Sequence, residues 1–388
     1  MSRYGVLFGL HGLSSGDASG RTPSEGGSGR VGEWGMAASG SSRNGASDTT
    51  QPQGKGSVEG ANVPPSPTLP LSHSAVDAPH DIVALSSKGA PIHFVGISGS
   101  GMSALAEMVL RAGGRVTGCD ANPGEVGEHL RELGAEVVQG HEPSHVEGAA
   151  AVVATAAVPQ DLPELRAARA RGIPVMKRAQ ALGAIVNRGR LAAVAGTHGK
   201  TTTTAMTTEI LAAAGLEPTG FVGGRVRGWG GGLRAGRDDL FVVEADEYDR
   251  SFLRLRPEAV VVTAVEADHL DVYGSMEQVE NAFLQFVELL PEDGLVVACA
   301  DDPGAARLLQ RASGRSLLSY GTGPEARLRA VQVELQPRGS RFRIVESGEQ
   351  LGIVELALPG IHNVRNALGA FALARRFGGT FEAAQEAL

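Results

Sequence analysis

Residues 190–204 read RLAAVAGTHGKTTTT, and the fold class of the chain follows from this stretch. The run LAAVA is short and apolar, as in a buried strand, and a helix is expected from Lys200 onward. Between them, Gly196 and Gly199 let backbone N–H groups approach an anion, toward which the helix directs its positive end. The stretch therefore predicts a phosphate-binding loop between a strand and a helix of an α/β domain.

Two side chains of this loop suit a nucleoside triphosphate. Lys200 can neutralise charge on the β- and γ-phosphates, and Thr201 can offer its hydroxyl to Mg2+. The spacing is GxxGKT, because Val194 stands where the longer GxxxxGKT motif has its first glycine. We therefore predict an ATP site with Mg2+, and the spacing argues against a GTPase.

Apolar runs and helical segments alternate on both sides of this loop. Residues 91–120 predict a strand, a glycine turn, a helix and a second strand, and further strands are expected near 135–140, 149–158 and 173–179. A second series begins at residue 190 and continues at 239–246, 258–271, 294–302 and 315–321. Repeated strand and helix units indicate parallel sheets covered on both faces.

The composition divides the chain into three parts. Residues 1–88 are dominated by Gly, Ser, Pro and small polar residues, which predicts a disordered low-complexity extension. We expect a Rossmann-like parallel-sheet domain at 89–188 and a central P-loop α/β ATPase domain at 189–388. Within the latter, the alternating pattern of 328–358 predicts an antiparallel hairpin, and a last helix follows.

Charge and cysteine content exclude several classes of protein. The net charge of −8 argues against a general nucleic-acid surface, and the short apolar patch at the N-terminus is too short for a signal peptide core. Cys119 and Cys299 are too few for a disulfide framework, and they lack the His/Cys neighbours and CxxC spacing of a zinc site. We expect a cytoplasmic protein without nucleic-acid or membrane partners.

Two acidic stretches follow predicted strands, VVEADEYDRSF at 242–252 and VEADHLDVYG at 265–274. Their side chains should lie at the same carboxyl edge as Lys200. Glu244 is the natural Mg2+ ligand, since this ion takes few protein ligands, usually a carboxylate with phosphates and water. His269 could bind a second metal, although a single histidine is more often structural.

Two further motifs have a functional and a structural interpretation. In GISGSGMS, residues 96–103, Ser98 occupies the place of the middle glycine of a dinucleotide fingerprint, so the motif alone is weak. Asp120 could bind a ribose or base, or cap the turn DANPG. In LPGIHNVRNALGA, residues 358–370, Asn363 and Asn366 could bond an adenine edge or cap the helix.

Together the motifs HFVGISGSGMSALAE, GTHGKTTT, VVEADEYDRSFL, VEADHLDVYG and LPGIHNVRNAL resemble the Mur ligases in order and spacing, over about residues 90 to 385. They are most similar to the members that join L-alanine to UDP-N-acetylmuramate. The resemblance implies a UDP-sugar domain, a central ATPase domain and a C-terminal Rossmann-like amino-acid domain. The last is absent from this chain, so we expect no ligase activity unless it is supplied separately.

The resemblance also implies three sets of site residues. The UDP-sugar set is Gly96, Ser98, Gly99, Gly101, Met102, Asp120 and Thr155. The ATP set is Gly196, Thr197, His198, Gly199, Lys200, Thr201, Thr202, Asn363 and Asn366. The Mg2+ ligands would be Thr201, Glu244 and His269, and the catalytic residues Lys200, Glu244 and His269.

The reaction implied by the resemblance activates a carboxylate with ATP. The lactyl carboxylate of UDP-N-acetylmuramate attacks the γ-phosphate to give an acyl phosphate and ADP, and the amine of L-alanine then displaces phosphate. Members that add later residues use a modified lysine downstream of the DH motif, where this chain has Phe283. This departure favours the L-alanine-adding members.

Other functions remain open on the sequence. The closest alternative is a ligase that attaches a preformed tripeptide to UDP-N-acetylmuramate. A nucleotide-binding remnant without ligase activity, a nicotinamide-dependent oxidoreductase using the first glycine turn, and a plain P-loop ATPase or GTPase are further alternatives.

Overall fold

A computed structural model describes residues 82–87, 89–155, 158–159 and 161–388. Two sheets carry the fold. The predicted extension at 1–88 lies outside the described residues, except for a helix α1 at Ile82–Ser87 whose Ile82 side chain is buried. None of the helices in the described part of the chain has the length and apolar content needed to cross a bilayer.

The first sheet has five parallel strands in the order β3-β2-β1-β4-β5. The strands are β1 Ile92–Val95, β2 Val116–Asp120, β3 Glu136–Gln139, β4 Ala151–Ala154 and β5 Val175–Lys177. The helices are α2 Ser100–Arg111, α3 Gly124–Glu132, α4 Pro163–Ala170 and α5 Arg178–Val186, with a 3-10 turn at Pro143–Val146.

The second sheet has ten strands in the order β15-β14-β13-β12-β11-β10-β6-β9-β7-β8. Its strands are β6 Arg190–Ala195, β7 Thr219–Val226, β8 Gly231–Arg234, β9 Leu240–Glu244, β10 Ala259–Val262, β11 Leu295–Cys299, β12 Ser316–Gly321, β13 Leu328–Gln336, β14 Gly339–Glu346 and β15 Glu349–Leu356. Its helices are α6 Lys200–Ala213, α7 Leu270–Tyr273, α8 Met276–Glu288, α9 Pro303–Arg311, α10 Ile361–Arg376 and α11 Phe381–Ala387, with 3-10 turns at Arg227–Trp229 and Tyr248–Arg254.

The position of β6 explains how the site is assembled. This strand pairs in parallel with β9 on one side and β10 on the other, with Val194 opposite Glu244 and Ala195 opposite Val262. Its apolar residues are fully buried because helices cover both faces of the sheet. The loops that follow β6, β9 and β10 therefore leave the same carboxyl edge, where open α/β sheets bind ligands.

The predicted α/β class is confirmed, with one parallel sheet preceding a larger sheet that carries the phosphate loop. The alternating stretch at 328–358 is antiparallel as predicted, but it forms three strands, β13 to β15, rather than one hairpin. The first of them, β13, pairs in parallel with β12, so the meander continues the larger sheet.

Candidate functional site

The loop between β6 and α6 needs its two glycines. Gly196 has φ of +130°, and a Cβ there would collide with the hydroxyl of Thr263 and the backbone of Ala264. Gly199 has φ of +78° and forms the N-cap of α6, which begins at Lys200. L-residues with a side chain avoid this left-handed region. The loop therefore presents the N-terminus of α6 at the sheet edge, as the sequence predicts.

Lys200 is held over the loop by three acceptors. Its Nζ donates to the carbonyl oxygens of Gly196 at 2.6 Å and Thr197 at 3.3 Å, and to Glu247 Oε1 at 2.9 Å. The side chains of Lys200 and Glu247 are 14% and 4% exposed. Low exposure strengthens their attraction, and it also makes either charge costly without the other.

Glu247 is a site residue that sequence reasoning missed, although it lies in the acidic stretch quoted for Glu244. Its Oε2 is buried and has no hydrogen-bond partner among the described residues. Burial raises the pKa of Glu247, while the ammonium of Lys200 acts in the opposite direction. Its main-chain carbonyl accepts the hydroxyl of Tyr273 at 2.5 Å. The extra carboxylate makes this part of the site more acidic than predicted.

Thr201 and Glu244 meet as predicted. Thr201 Oγ1 donates to Glu244 Oε2 at 3.0 Å, and the same carboxylate oxygen accepts the backbone N–H of Gly223 at 2.9 Å. A hydroxyl and a carboxylate at a phosphate loop are hard oxygen donors of the kind Mg2+ takes, usually with phosphate oxygens and water completing its shell. The donor set at Thr201 and Glu244 therefore fits Mg2+.

His269 lies near the same Glu247 oxygen that Lys200 contacts. Its Nε2 is 3.9 Å from Glu247 Oε1 and 3.8 Å from Asp268 Oδ2, and its ring meets Tyr248 edge-on at 5.2 Å. The backbone of His269 has φ of +51°, a strained conformation for a residue with a side chain. The imidazole is thus set among carboxylates, where it could share a cation with Glu247.

The two asparagines pack behind the phosphate loop. Asn363 Nδ2 donates to the carbonyl of Pro359 at 2.8 Å, and Asn366 Nδ2 reaches Asn363 Oδ1 at 3.4 Å. A Cβ on Gly199 would lie 2.5 Å from Asn366 Oδ1. Gly360 is the N-cap of α10, without a side-chain cap, so capping does not account for these two residues. Asn366 therefore lies against Gly199 of the loop, and Asn363 is joined to the loop through Asn366.

The remaining loop residues take different positions. Thr197 donates its N–H to Ala264 O at 2.9 Å and accepts the N–H of Glu266 on its hydroxyl at 3.0 Å. His198 is exposed, with Nε2 3.6 Å from Glu266 Oε2. Thr202 is partly buried in the first turn of α6. Thr197 thus fixes the loop to the segment after β10, while His198 faces solvent.

The first glycine turn is fastened by Asp120. Ser98 donates its N–H to Asp120 Oδ2 at 3.0 Å, and Asp120 Oδ1 accepts the N–H of Asn122 at 3.0 Å. Asp120 therefore caps the turn that follows β2, which was the structural alternative. Each of its carboxylate oxygens can still accept a further hydrogen bond from a ligand. Gly96 has φ of +76°, whereas Ser98 is not among the residues with positive φ, so serine costs no backbone strain there. The Ser98 hydroxyl is buried without a described partner.

The other residues of this turn lie close to the second sheet. Ser100 Oγ donates to the carbonyl of Gly223 at 2.5 Å, and Gly223 donates in turn to Glu244. A Cβ on Gly101 would lie 2.7 Å from Arg178 Nη1, so the guanidinium of Arg178 packs directly against the turn. Gly99 is exposed, and the side chain of Met102 is 2% exposed within the core. The turn is thereby connected to the predicted Mg2+ residues through Gly223.

Thr155 borders the first glycine turn, since a Cβ on Gly96 would lie 3.6 Å from its Cγ2. It also lines a cavity of about 350 Å³ whose charged lining residues are Arg169, Lys177, Asp249, Arg250 and Arg254. Lys177 and Asp249 form an ion pair. The structure therefore brings the predicted ATP and metal residues together, and it places Thr155 between the first glycine turn and the cavity.

Two family models match the chain. The Mur ligase family catalytic domain matches residues 91–190, and the Mur ligase middle domain matches residues 194–374. The chain is also 43% identical over 303 residues to a UDP-N-acetylmuramate--L-alanine ligase from Phenylobacterium zucineum. That alignment covers 77% of this chain and 64% of the relative, so the chain spans less than two thirds of the relative's length.

Two solved structures are similar over the same share of this chain. A UDP-N-acetylmuramate-alanine ligase from Thermotoga maritima has a TM-score of 0.69 at 30% identity, covering 77% of this chain and 68% of that one. A UDP-N-acetylmuramate:L-alanyl-gamma-D-glutamyl-meso-diaminopimelate ligase from Neisseria meningitides has a TM-score of 0.70 at 29% identity, covering 77% and 97%.

Proposed function

The chain belongs to the Mur ligase family, and we propose that it binds Mg·ATP and UDP-N-acetylmuramate for the ATP-dependent joining of L-alanine to the lactyl carboxylate. In this reaction the carboxylate attacks the γ-phosphate, ADP leaves, and the amine of L-alanine displaces phosphate from the acyl phosphate. No protein nucleophile is needed. Catalysis then rests on positioning and charge stabilisation.

One observation carries the proposal. At the carboxyl edge of β6 and β9, Lys200 meets Glu247 at 2.9 Å while the adjacent Thr201 meets Glu244 at 3.0 Å. A cation, a hydroxyl and two carboxylates thus surround the N-terminus of α6. This combination suits a triphosphate with its divalent ion and has no use in hydride transfer. The nicotinamide alternative is therefore disfavoured.

Groups of the protein itself would bind the phosphates of ATP directly. The N–H groups at the start of α6 and the ammonium of Lys200 would bind phosphate oxygens and offset their negative charge. Asn363 and Asn366 would hydrogen-bond the adenine. Thr201 and Glu244 would hold Mg2+, with His269 and Glu247 beside a second ion. Bound there, Mg2+ would reduce the repulsion between the carboxylate and the γ-phosphate.

The basic cavity beside Thr155 supports an anionic second substrate. Its lining has three arginines and Lys177 against one carboxylate, that of Asp249, which pairs with Lys177. A sugar nucleotide carries a diphosphate, which guanidinium and ammonium groups recognise. The chain of hydrogen bonds from Ser100 through Gly223 to Glu244 joins the first glycine turn to the predicted Mg2+ residues. Both features favour a sugar nucleotide bound close to ATP.

L-Alanine is proposed over a preformed tripeptide as the amine substrate. Curated relatives named for L-alanine ligation reach 44% identity, while the solved structures titled for L-alanine and for the tripeptide stand at 30% and 29%. Phe283, which stands near the place of the modified lysine, is buried and packs edge-on against Phe252 at 5.4 Å. The absence of a lysine at this position argues against members that add later residues of the peptide.

The direct test is a nucleotide and product assay on the chain. Calorimetry should detect binding of Mg·ATP and of UDP-N-acetylmuramate separately. ADP release should depend on UDP-N-acetylmuramate, and hydroxylamine should trap the acyl phosphate as a hydroxamate. Product analysis with L-alanine and with the tripeptide, after the C-terminal domain of a relative has been added in trans, would compare the two amine substrates.

The controls separate the alternatives. ATP hydrolysis at the same rate without the sugar nucleotide would indicate a plain ATPase and contradict the ligase proposal. Binding of both nucleotides with no trapped acyl phosphate, even with the missing portion of a relative added in trans, would indicate a binding remnant. Absence of ATP binding would refute the assignment of the loop itself.

A further inference from the structure

A second group of metal-ligating side chains lies in the first sheet, away from the phosphate loop. Cys119 is at the end of β2, His141 follows β3, and Glu164 is in the first turn of α4. Their ligand atoms approach closely: Cys119 Sγ to His141 Nδ1 is 3.5 Å, Cys119 Sγ to Glu164 Oε1 is 3.5 Å, and His141 Nδ1 to Glu164 Oε1 is 3.0 Å. The sequence separations are 22 and 45 residues from Cys119.

We propose that Cys119, His141 and Glu164 bind one transition-metal ion of the zinc class as a structural site. Cys119 has no such neighbours along the sequence, but His141 and Glu164 lie beside it in the fold. Zn2+ takes Cys, His and carboxylate ligands in a tetrahedron. Ligand atoms at the usual bond lengths would then stand about 3.4–3.6 Å apart. The observed triangle needs only a small widening between His141 and Glu164.

An unpartnered buried oxygen supplies independent support. The side chain of Glu164 is 0% exposed, and its Oε2 has no hydrogen-bond partner among the described residues. A buried carboxylate without full compensation is costly, and such groups are paired or coordinate metals. The second oxygen of Glu164 is available to the same ion. His141 is 26% exposed on its side chain, so an ion can enter from solvent.

The ligand types of the group suit a divalent cation. A divalent ion would balance one thiolate and one carboxylate, with His141 as a neutral donor. His145 supports the group from the outside, with Nδ1 3.6 Å from Glu164 Oε1 and 3.3 Å from the N–H of Glu142.

The position of the site gives it a structural role. The ion would join the end of β2, the segment after β3 and the start of α4. Cys119 precedes Asp120, whose carboxylate holds the N–H of Ser98. Metal binding would therefore also stiffen the edge that supports the first glycine turn.

Cobalt substitution tests the proposal with a signal that the ATP site cannot produce. The chain is stripped with a chelator under reducing conditions and titrated with Co2+ alone. We expect one thiolate-ligated Co2+ per chain, seen as a sulfur-to-cobalt charge-transfer band that Zn2+ displaces. Oxygen and imidazole ligands at the phosphate loop give no such band, so a failure of the proposed ATP function would leave this result unchanged.

The two cysteines provide a matched pair of variants. Cys119→Ser should lose the band and weaken Zn2+ binding at least about 10-fold, the lower end of the effect of changes around metal ligands. Cys299→Ser should keep both, because Cys299 is a buried cysteine outside this group. If Cys119→Ser fails to fold, His141→Gln gives the same test at a partly exposed position. Absence of the band in the unmodified chain, or its loss in Cys299→Ser alone, would overturn the proposal.

Discussion

The two glycine turns follow the same plan and handle anions differently. Each leaves a buried parallel strand and opens a helix, α2 after β1 and α6 after β6. In the second turn, Lys200 brings a cation that Glu247 and two loop carbonyls hold in place. In the first, Asp120 places a carboxylate against the turn and takes up the N–H of Ser98.

This difference shows that the strand, turn and helix provide the backbone geometry of an anion site but not its charge. The side chains delivered by neighbouring strands decide how much negative charge the turn can accept. The second turn is suited to a triphosphate because its cation is preorganised. Beside the first turn the nearby cation is Arg178, which lies next to Gly101 and pairs with Asp246, so no loop carbonyl is shown holding it over the turn. Four predictions test this comparison, from the largest expected effect to the smallest.

Removing the cation should damage the second turn most. Lys200→Met leaves Glu247 buried and unpaired, which costs about 3–5 kcal/mol of unfolding free energy. It also removes charge-assisted hydrogen bonds to phosphate, so Mg·ATP affinity should fall about 10–100-fold. Urea denaturation and calorimetry measure the two effects.

A double variant separates stability from binding. Lys200→Met with Glu247→Gln should recover much of the stability and none of the ATP affinity. Lys177→Met is the matched control for stability, because its pair with Asp249 is half exposed and should contribute at most about 1 kcal/mol. Equal losses in the two lysine variants would contradict the buried role of Lys200.

The strand before the first turn carries a titratable group that the strand before the second lacks. His93 on β1 is buried, and burial lowers the pKa of its imidazole to about 4, with His145 acting in the same direction. The unfolded state therefore binds a proton near pH 6.5 while the folded state does not. Stability should fall as the pH drops from 6.5 to 4, by about 3 kcal/mol in total.

Replacement of the imidazole checks this origin of the pH dependence. His93→Gln keeps a polar side chain beside Thr117, which lies 2.9 Å from His93 Nδ1, and removes the titration. Urea denaturation at several pH values, with a chelator present throughout, should show a flatter profile for the variant. Parallel profiles for the two proteins would refute His93 as the source.

Equivalent glycines of the two turns should respond differently to alanine. At Gly199, φ is +78° and a Cβ would meet Asn366 Oδ1 at 2.5 Å, so Gly199→Ala should cost about 1–2 kcal/mol from the backbone conformation alone. At Gly99, φ is −59° and the nearest contact is 3.4 Å, so Gly99→Ala should be nearly neutral. Thermal unfolding of the pair measures the difference, and similar losses would contradict it.

The smallest effect is expected at the acidic support of the first turn. Asp120→Asn keeps an acceptor for one N–H but weakens a charge-assisted bond, which should cost about 1 kcal/mol. Affinity for UDP-N-acetylmuramate should drop about 2–10-fold, and Mg·ATP affinity should stay unchanged. An equal loss for both nucleotides would show that the two turns act as one unit. The exposed Asp238→Asn is the matched control.

Much of the ATP site could be predicted because its parts are local. Gly196, Gly199 and Lys200 are contiguous in one turn, and strand ends are readable from apolar runs. Glu247 was missed because the local pattern names several carboxylates, and only the packing of the segment after β9 selects the one that reaches Lys200. The individual site roles remain predictions until ligands are measured.

The cavity beside the UDP-sugar residues could not be foreseen for a related reason. Asp120 lies beside Ser98 because β1 and β2 are neighbours, and Thr155 lies beside Gly96 because β4 pairs with β1 on the other side. The cavity that Thr155 lines also takes residues from the segment after β9 of the other sheet. The hydrophobic periodicity of the sequence predicts strands and helices, but it does not predict how two sheets pack against each other.

Periodicity, turn chemistry and motif order fixed the α/β class, the two glycine turns and the family of this chain, because these properties depend on residues close together in sequence. The tertiary structure alone joined Lys200 to Glu247, and Cys119 to His141 and Glu164. Those contacts depend on the order of strands in a sheet and on the helix that covers it. Cys119 has no candidate metal ligand near it in the sequence, but in the fold it lies beside His141 and Glu164.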